Sequence, residues 1–205
     1  MPKMPKTKVQ QEAEIEDNAE LARVVFQSLP PEDIELLTEA IQHLDPKDYL
    51  FTERPFKSKR GQQAIACRKG EYKFSGLSCP FQKPSPAVYA LMCKYAANND
   101  VSVESVMVHV NVYPEGTSSG IQAHRDDEDI IDPKFPILCM QIGFATLHIW
   151  SGSPGDAKMR KGATRKLEGA MSYSLDPQIT HGIKRTRKEE TRSTRHSFTF
   201  RVMSK

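Results

Sequence analysis

His124-Arg125-Asp126 sets an imidazole and a carboxylate two residues apart, the spacing at which side chains of an extended strand point the same way. Such a pair can grip one metal ion. A second histidine would complete the two-histidine, one-carboxylate set of non-haem Fe(II) sites, which leaves three coordination positions for substrate and dioxygen. His181, in Thr180-His181-Gly182, is the candidate, although a hydrogen-bonded core histidine accounts for it equally well from spacing alone. His-x-Asp triplets also arise by chance in a chain with six histidines and 26 acidic residues. His43-Leu44-Asp45 is one such triplet; it closes a predicted helix and serves as an internal control.

Context separates the two triplets. His124 follows residues 105–113, where valine occupies positions 106, 108, 110 and 112, so that one strand face is aliphatic and the other carries His109, Asn111 and Tyr113. The last strand alternates in the same way, with Arg195, Ser197, Thr199 and Arg201 on one face and His196, Phe198, Phe200 and Val202 on the other. Two arginines on one face can each offer a fork of donors to a small dicarboxylate. A solvated edge strand would show the same alternation.

Taken in order, Asn111-x-Tyr113, His124-x-Asp126, His181 and Arg195-x-Ser197-x-Thr199-x-Arg201 resemble the AlkB-like Fe(II)- and 2-oxoglutarate-dependent dioxygenases, over about residues 72–202. Ser197 stands where that family usually has asparagine, which removes one hydrogen bond to the cosubstrate. The resemblance implies that His124, Asp126 and His181 bind Fe(II), that Arg195 and Tyr113 hold the far carboxylate of 2-oxoglutarate, and that Arg201 and Asn111 lie towards its metal-bound end. It implies oxidative removal of N-methyl groups from bases of the 1-methyladenine and 3-methylcytosine type, releasing formaldehyde, succinate and CO2.

Glu128, just after the triplet, matches an acid that in the family contacts the alkylated base, whose methylation leaves positive charge; a solvated acidic turn is the alternative. Arg60, Tyr72 and Phe74 fall in a segment that resembles the family's substrate lid, with aromatics for stacking and cations for phosphates, although both rings would serve equally as core. Methylated RNA or DNA is the implied partner. The His124-x-Asp126-Asp127-Glu128 form is similar to AlkB-like domains in RNA-virus replicases, which favours RNA and allows a viral protein acting in its host cell. An oxygenase acting on protein, or a non-catalytic nucleic-acid-binding jelly roll, are the competing readings.

These residues need a scaffold. The expected fold is α+β and β-dominated: a double-stranded β-helix, or jelly roll, with N-terminal helices. We expect a flexible acidic tail over residues 1–27 running into a helix, and then one domain over 28–205. That domain comprises a helical part (28–54, with a helix at about 31–44), the lid (55–85), a supporting helix (86–104) and the core (105–205). Strands are expected at 105–113, 137–143, 146–150, 168–174, 179–184 and 195–202.

The 205 residues suffice for one sizeable core, and 38% hydrophobic with 27% charged residues is an ordinary globular balance, so neither a disordered nor a membrane protein is expected. The net charge of +3 hides an asymmetry. Residues 158–205 carry 13 Lys or Arg against 4 Asp or Glu, leaving 16 basic and 22 acidic residues before them. The block Lys184-Arg185-Thr186-Arg187-Lys188 suits phosphate-rich partners or is a solvated loop. Cys67, Cys79, Cys93 and Cys139 form no Cys-x-x-Cys pair, so neither a zinc ribbon nor a disulfide frame is expected. No secretory signal is read at the start, and a monomer in the cytosol or nucleus is expected.

Overall fold

The valine face of the strand after residue 105 is buried against helices, and its polar face lines the interior of a jelly roll. This architecture is seen in a computed structural model that describes residues 22–45, 60–74, 77–156, 159–185 and 188–204. In chain order the elements are β1 (Val25–Ser28), α1 (Pro31–Gln42), β2 (Gly61–Ala66), β3 (Glu71–Phe74), β4 (Leu77–Gln82), α2 (Pro86–Asn98), β5 (Val106–Tyr113), β6 (Ser119–His124), β7 (Ile137–Ser151), β8 (Arg160–Leu175), β9 (Thr180–Arg185), α3 (Lys188–Thr191) and β10 (Arg195–Val202). Residues 1–21 of the expected tail, residues 46–54 of the helical part, and residues 55–59 and 75–76 of the expected lid lie outside the described residues.

Both long helices begin at proline in the first turn, where the missing N–H costs nothing. Ser85 caps α2 by accepting from the Val88 amide. Leu37 and Ala40 of α1 and Val88, Leu91, Met92 and Tyr95 of α2 pack with Val106, Val108, Val110, Phe198 and Phe200. The helices therefore cover the outer face of the sheet that β5 and β10 share, and the side chains between those apolar ones point inwards.

The larger sheet runs β1-β8-β7-β10-β5-β2-β4-β3, and β6 and β9 continue it from the far half of β7. Residues 137–143 and 146–150, expected as separate strands, form one bent strand. Leu138 to Ile142 pair with β10, and Thr146 to Trp150 pair with β9. Gly143 sits at the bend with φ +122. One ribbon thus passes from the first layer of the roll into the second, and this is the corner that an alternation pattern cannot reveal.

Two further expectations are corrected. Residues 25–28 form β1 rather than entering a helix, because their edge is satisfied by antiparallel pairing with Ser174 to Met171 of β8. Val24 and Phe26 join the core between the layers. Strand content was also undercounted. Gly61–Ala66 pairs along β5, and Ser119–His124 pairs with β9, although neither has a strong period-two pattern. For β2 the reason is burial of both faces, which removes the alternation.

Candidate metal centre and anion pocket

His124 ends β6 and His181 lies in β9, directly opposite one another in the antiparallel register. Asp126 follows two residues later, its amide held by the Pro177 carbonyl. Their ligand atoms all lie within 4.8 Å of one another. Each histidine places Nδ1 2.9 Å from a carbonyl two residues back, Gln122 and Ile179 respectively. Those contacts assign the proton to Nδ1 and leave Nε2 with a lone pair for a metal. Burial, with His124 nearby, lowers the His181 pKa to about 4, so the ring is neutral at neutral pH.

Asp126 is 1% exposed. Burial alone would raise its pKa, but Arg201, with His181 and His124, outweighs this and holds the carboxyl well below the usual range. Arg201 donates to Oδ1 through Nε at 3.1 Å and through Nη2. Oδ2 is buried with no hydrogen-bond partner and lies 3.5 Å from His181 Nε2. An orphaned carboxylate oxygen between two imidazole lone pairs is the arrangement a divalent cation satisfies. The residues present therefore fit a metal ion.

A second set of orphans lies further along the same inward face. Arg195 is fully buried; its Nε donates to Gln141 at 2.6 Å, while Nη1, Nη2 and the Tyr113 hydroxyl have no partner. Arg195 and Tyr113 are register partners, and the guanidinium lies 4.9 Å from the ring centroid. Two unpaired Nη groups beside a buried phenol call for an anion, a carboxylate above all. Asn111, Ser197 and Gln141 form the next row across β5, β10 and β7. Ser197 contacts Cys139 at 3.3 Å.

The substrate candidates occupy other positions. Tyr72 is 1% exposed; its hydroxyl donates to Glu128 at 2.9 Å, and its ring stacks on Phe74 and packs edge-on to His109. Burial raises the Glu128 pKa despite Arg201. Arg60 bridges Asn111 Oδ1 and the Gly120 carbonyl at 2.8 and 2.9 Å, so it ties β5 to β6.

Sequence reasoning missed Gln141, which positions Arg195, and Arg185, which organises the surrounding loops. Arg185 is in phase with His181 and Ile183 on β9, so alternation alone would have turned it inwards. Its charge led instead to its placement in a phosphate-seeking block. The structure corrects this: Arg185 is completely buried, whereas Lys184 is exposed.

Among solved structures, the chain is similar to "The structure of OsALKBH1". The match covers 87% of this chain and 97% of that one, at a TM-score of 0.57 and 17% identity. The shared feature is the fold. No family model and no curated protein sequence matches. Among the described residues no helix is long and apolar enough to cross a membrane.

Two expected results follow from this geometry. A Cβ at Gly143 would fall 2.9 Å from the Arg195 Cα, at a φ that side chains rarely adopt, so Gly143→Ala should cost about 1–3 kcal/mol in urea unfolding. An unchanged midpoint would remove Gly143 as the corner residue. The second concerns pH. His181, His109 and His196 are all held neutral by burial, with folded pKa values below the unfolded value of 6.5. The unfolded chain therefore binds more protons, and the metal-free protein should lose stability as pH falls from about 6.5 towards 4, on the order of 3 kcal/mol for His181 alone. Glu128 acts in the opposite sense because its pKa is raised, so the comparison belongs in a Glu128→Gln background. Flat stability between pH 7 and 5 there would contradict the assignment of neutral histidines.

Proposed function

We propose that this protein is an Fe(II)- and 2-oxoglutarate-dependent dioxygenase that removes N-methyl groups from nucleic-acid bases, acting on RNA in preference to DNA. One observation carries the reading: a cation-seeking orphan, Asp126 Oδ2, and an anion-seeking pair, Arg195 and Tyr113, lie on one buried face of a jelly roll. OsALKBH1, an AlkB homologue, shares that fold. The RNA preference rests on the resemblance of the His124-x-Asp126-Asp127-Glu128 segment to replicase domains.

His124, Asp126 and His181 would hold the metal. Arg195 and Tyr113 would bind the far carboxylate, while Arg201 Nη1, also without a partner, and Asn111 would serve the metal-bound end. When bound, iron and 2-oxoglutarate supply an oxidant from dioxygen, with succinate and CO2 as by-products and the oxidised N-methyl carbon lost as formaldehyde. The roll excludes water from the anion pocket, where Arg195, Tyr113 and Ser197 are all nearly inaccessible. Glu128, steadied by Tyr72, presents a carboxyl to a methylated base whose positive charge favours the ionised form. Tyr72 and Phe74 act as the wall behind Glu128, and Arg60 as the support of Asn111.

The test supplies Fe(II), 2-oxoglutarate and methylated RNA or DNA oligonucleotides and follows methyl loss and succinate by mass spectrometry. Arg195→Ala should abolish succinate formation, and Asp45→Ala should change neither product. Succinate without methyl loss from either polymer would redirect the substrate assignment to protein; absence of both succinate and iron binding would end the enzyme reading.

A further inference from the structure

Buried polar atoms without partners mark where a ligand is expected, because an unmet donor or acceptor in the interior is costly. With the proposed metal and dicarboxylate assigned to Asp126 Oδ2, Arg201 Nη1, Arg195 Nη1 and Nη2, and the Tyr113 hydroxyl, and with Ser119 Oγ set apart on β6, four orphans remain on the wall that β2 and β5 form with Glu128. They are Gln62 Nε2, Gln62 Oε1, His109 Nε2 and Glu128 Oε2.

These atoms belong to one patch. Gln62 of β2 is the register partner of Asn111, and Ala64, two residues on, is the partner of His109. Antiparallel partners share a face, so Gln62 and His109 are diagonal neighbours about 7–8 Å apart. His109 packs against Tyr72 at 5.1 Å between centroids, and Tyr72 donates to Glu128. Gln63, in contrast, points to the opposite face, where it accepts from the Asp45 amide and donates to Gln82. Gln62 is fully inaccessible, and both ends of its carboxamide are unmet.

A carboxylate ligand only accepts hydrogen bonds and would satisfy Nε2 while leaving Oε1 orphaned. The unmet pair asks for a partner with adjacent donor and acceptor. Adenine presents that edge, N6–H beside N7, and glutamine matches it with two hydrogen bonds; cytosine offers only the N4 donor on the corresponding edge. We propose that Gln62 is a specificity-determining residue that reads the N6/N7 edge of a methylated adenine, with His109 as its neighbour on the same wall. The inference rests on the nucleic-acid N-demethylase reading.

The test measures oligonucleotide affinity by fluorescence anisotropy, with Fe(II) and 2-oxoglutarate under argon so that no turnover occurs. The probes are RNA and DNA strands carrying 1-methyladenine, 3-methylcytosine or an abasic residue at one position. Gln62→Leu should weaken 1-methyladenine binding roughly ten- to hundredfold, with little change for the abasic strand and a smaller change for 3-methylcytosine. Because leucine removes two unmet groups, the ligand-free variant should melt no lower than wild type; Gln62→Asn provides a second, polar replacement.

Equal weakening of all three probes, no weakening at all, or a clear drop in melting temperature for Gln62→Leu would each overturn the role given to Gln62. If wild type itself binds methylated bases no better than the abasic strand, the N-demethylase reading falls, and the base-reading role falls with it. Discrimination by wild type that survives in Gln62→Leu removes only Gln62.

Discussion

Asp126→Ala is expected to abolish metal uptake and to lower turnover roughly a thousandfold or more, because a bound metal contributes several kcal/mol to the transition state. The same change should also destabilise the metal-free protein. Arg201 is 5% exposed, and Asp126 is its buried ion-pair partner, bonded through both Nε and Nη2. Removing one member of a buried pair leaves the other charge uncompensated, at a cost of about 3–5 kcal/mol. His124→Ala separates the two effects. Its ring is only partly buried and bonds the local Gln122 carbonyl, so the variant should lose the metal with a change of about 1 kcal/mol or less in stability. Metal titration and urea unfolding of chelator-treated protein check both statements; stoichiometric metal binding by Asp126→Ala would refute the centre.

A large effect on stability is also expected at Arg185, a charged residue that is completely buried. Its guanidinium donates to the carbonyls of Tyr113 at 3.0 Å, Phe144 at 3.1 Å and Ser193 at 2.6 Å, and also to those of Pro114 and Glu190. These carbonyls come from the end of β5, the bend of β7 and the segment around α3, so one side chain joins three stretches of backbone. Arg185→Met would strand several buried acceptors at about 1–3 kcal/mol each before relaxation. A net loss of about 4 kcal/mol corresponds to a fall of roughly 10 °C in melting temperature for a chain of this size. Exposed Lys184→Ala should stay within about 0.5 kcal/mol of wild type. Calorimetry on the two variants decides the matter: equal melting temperatures would mean that Arg185 is not a keystone. A smaller secondary effect should appear at the anion pocket, since both Arg185 and Arg195 lie over the Tyr113 ring.

Arg185 also shows where charge counting misleads. Three of the basic residues in the positive C-terminal part, Arg185, Arg195 and Arg201, are buried and engaged or aimed inside the roll. Their charge therefore contributes less to a phosphate-attracting surface than the local excess suggests, and more to internal architecture and anion binding.

The elements most legible in the sequence were those with one apolar and one polar face. Alternation placed β5 and β10 and put Asn111 and Tyr113 on one face of the first and Arg195 and Arg201 on one face of the second; that the two faces join, with Arg195 beside Tyr113 and Ser197 beside Asn111, is seen in the pairing. Helical spacing located both helix starts and the end of α1 within two residues, whereas α2 ends at Asn98 rather than at 104. The grouping of His124, Asp126 and His181 came from the family resemblance, since spacing alone left His181 equally a core histidine; the structure brings the three together.

What the sequence by itself determined was thus which residues of β5 and of β10 share a face and what chemistry they carry, since both follow from side-chain period and residue type. The tertiary structure decided which of them meet. The Gly143 bend carries β7 from β10 to β9, β1 closes on β8, and β2 adds Gln62 to the inner face. Those are pairings between residues tens of positions apart, fixed by backbone hydrogen bonds that are the same for every residue type, so no local pattern records them.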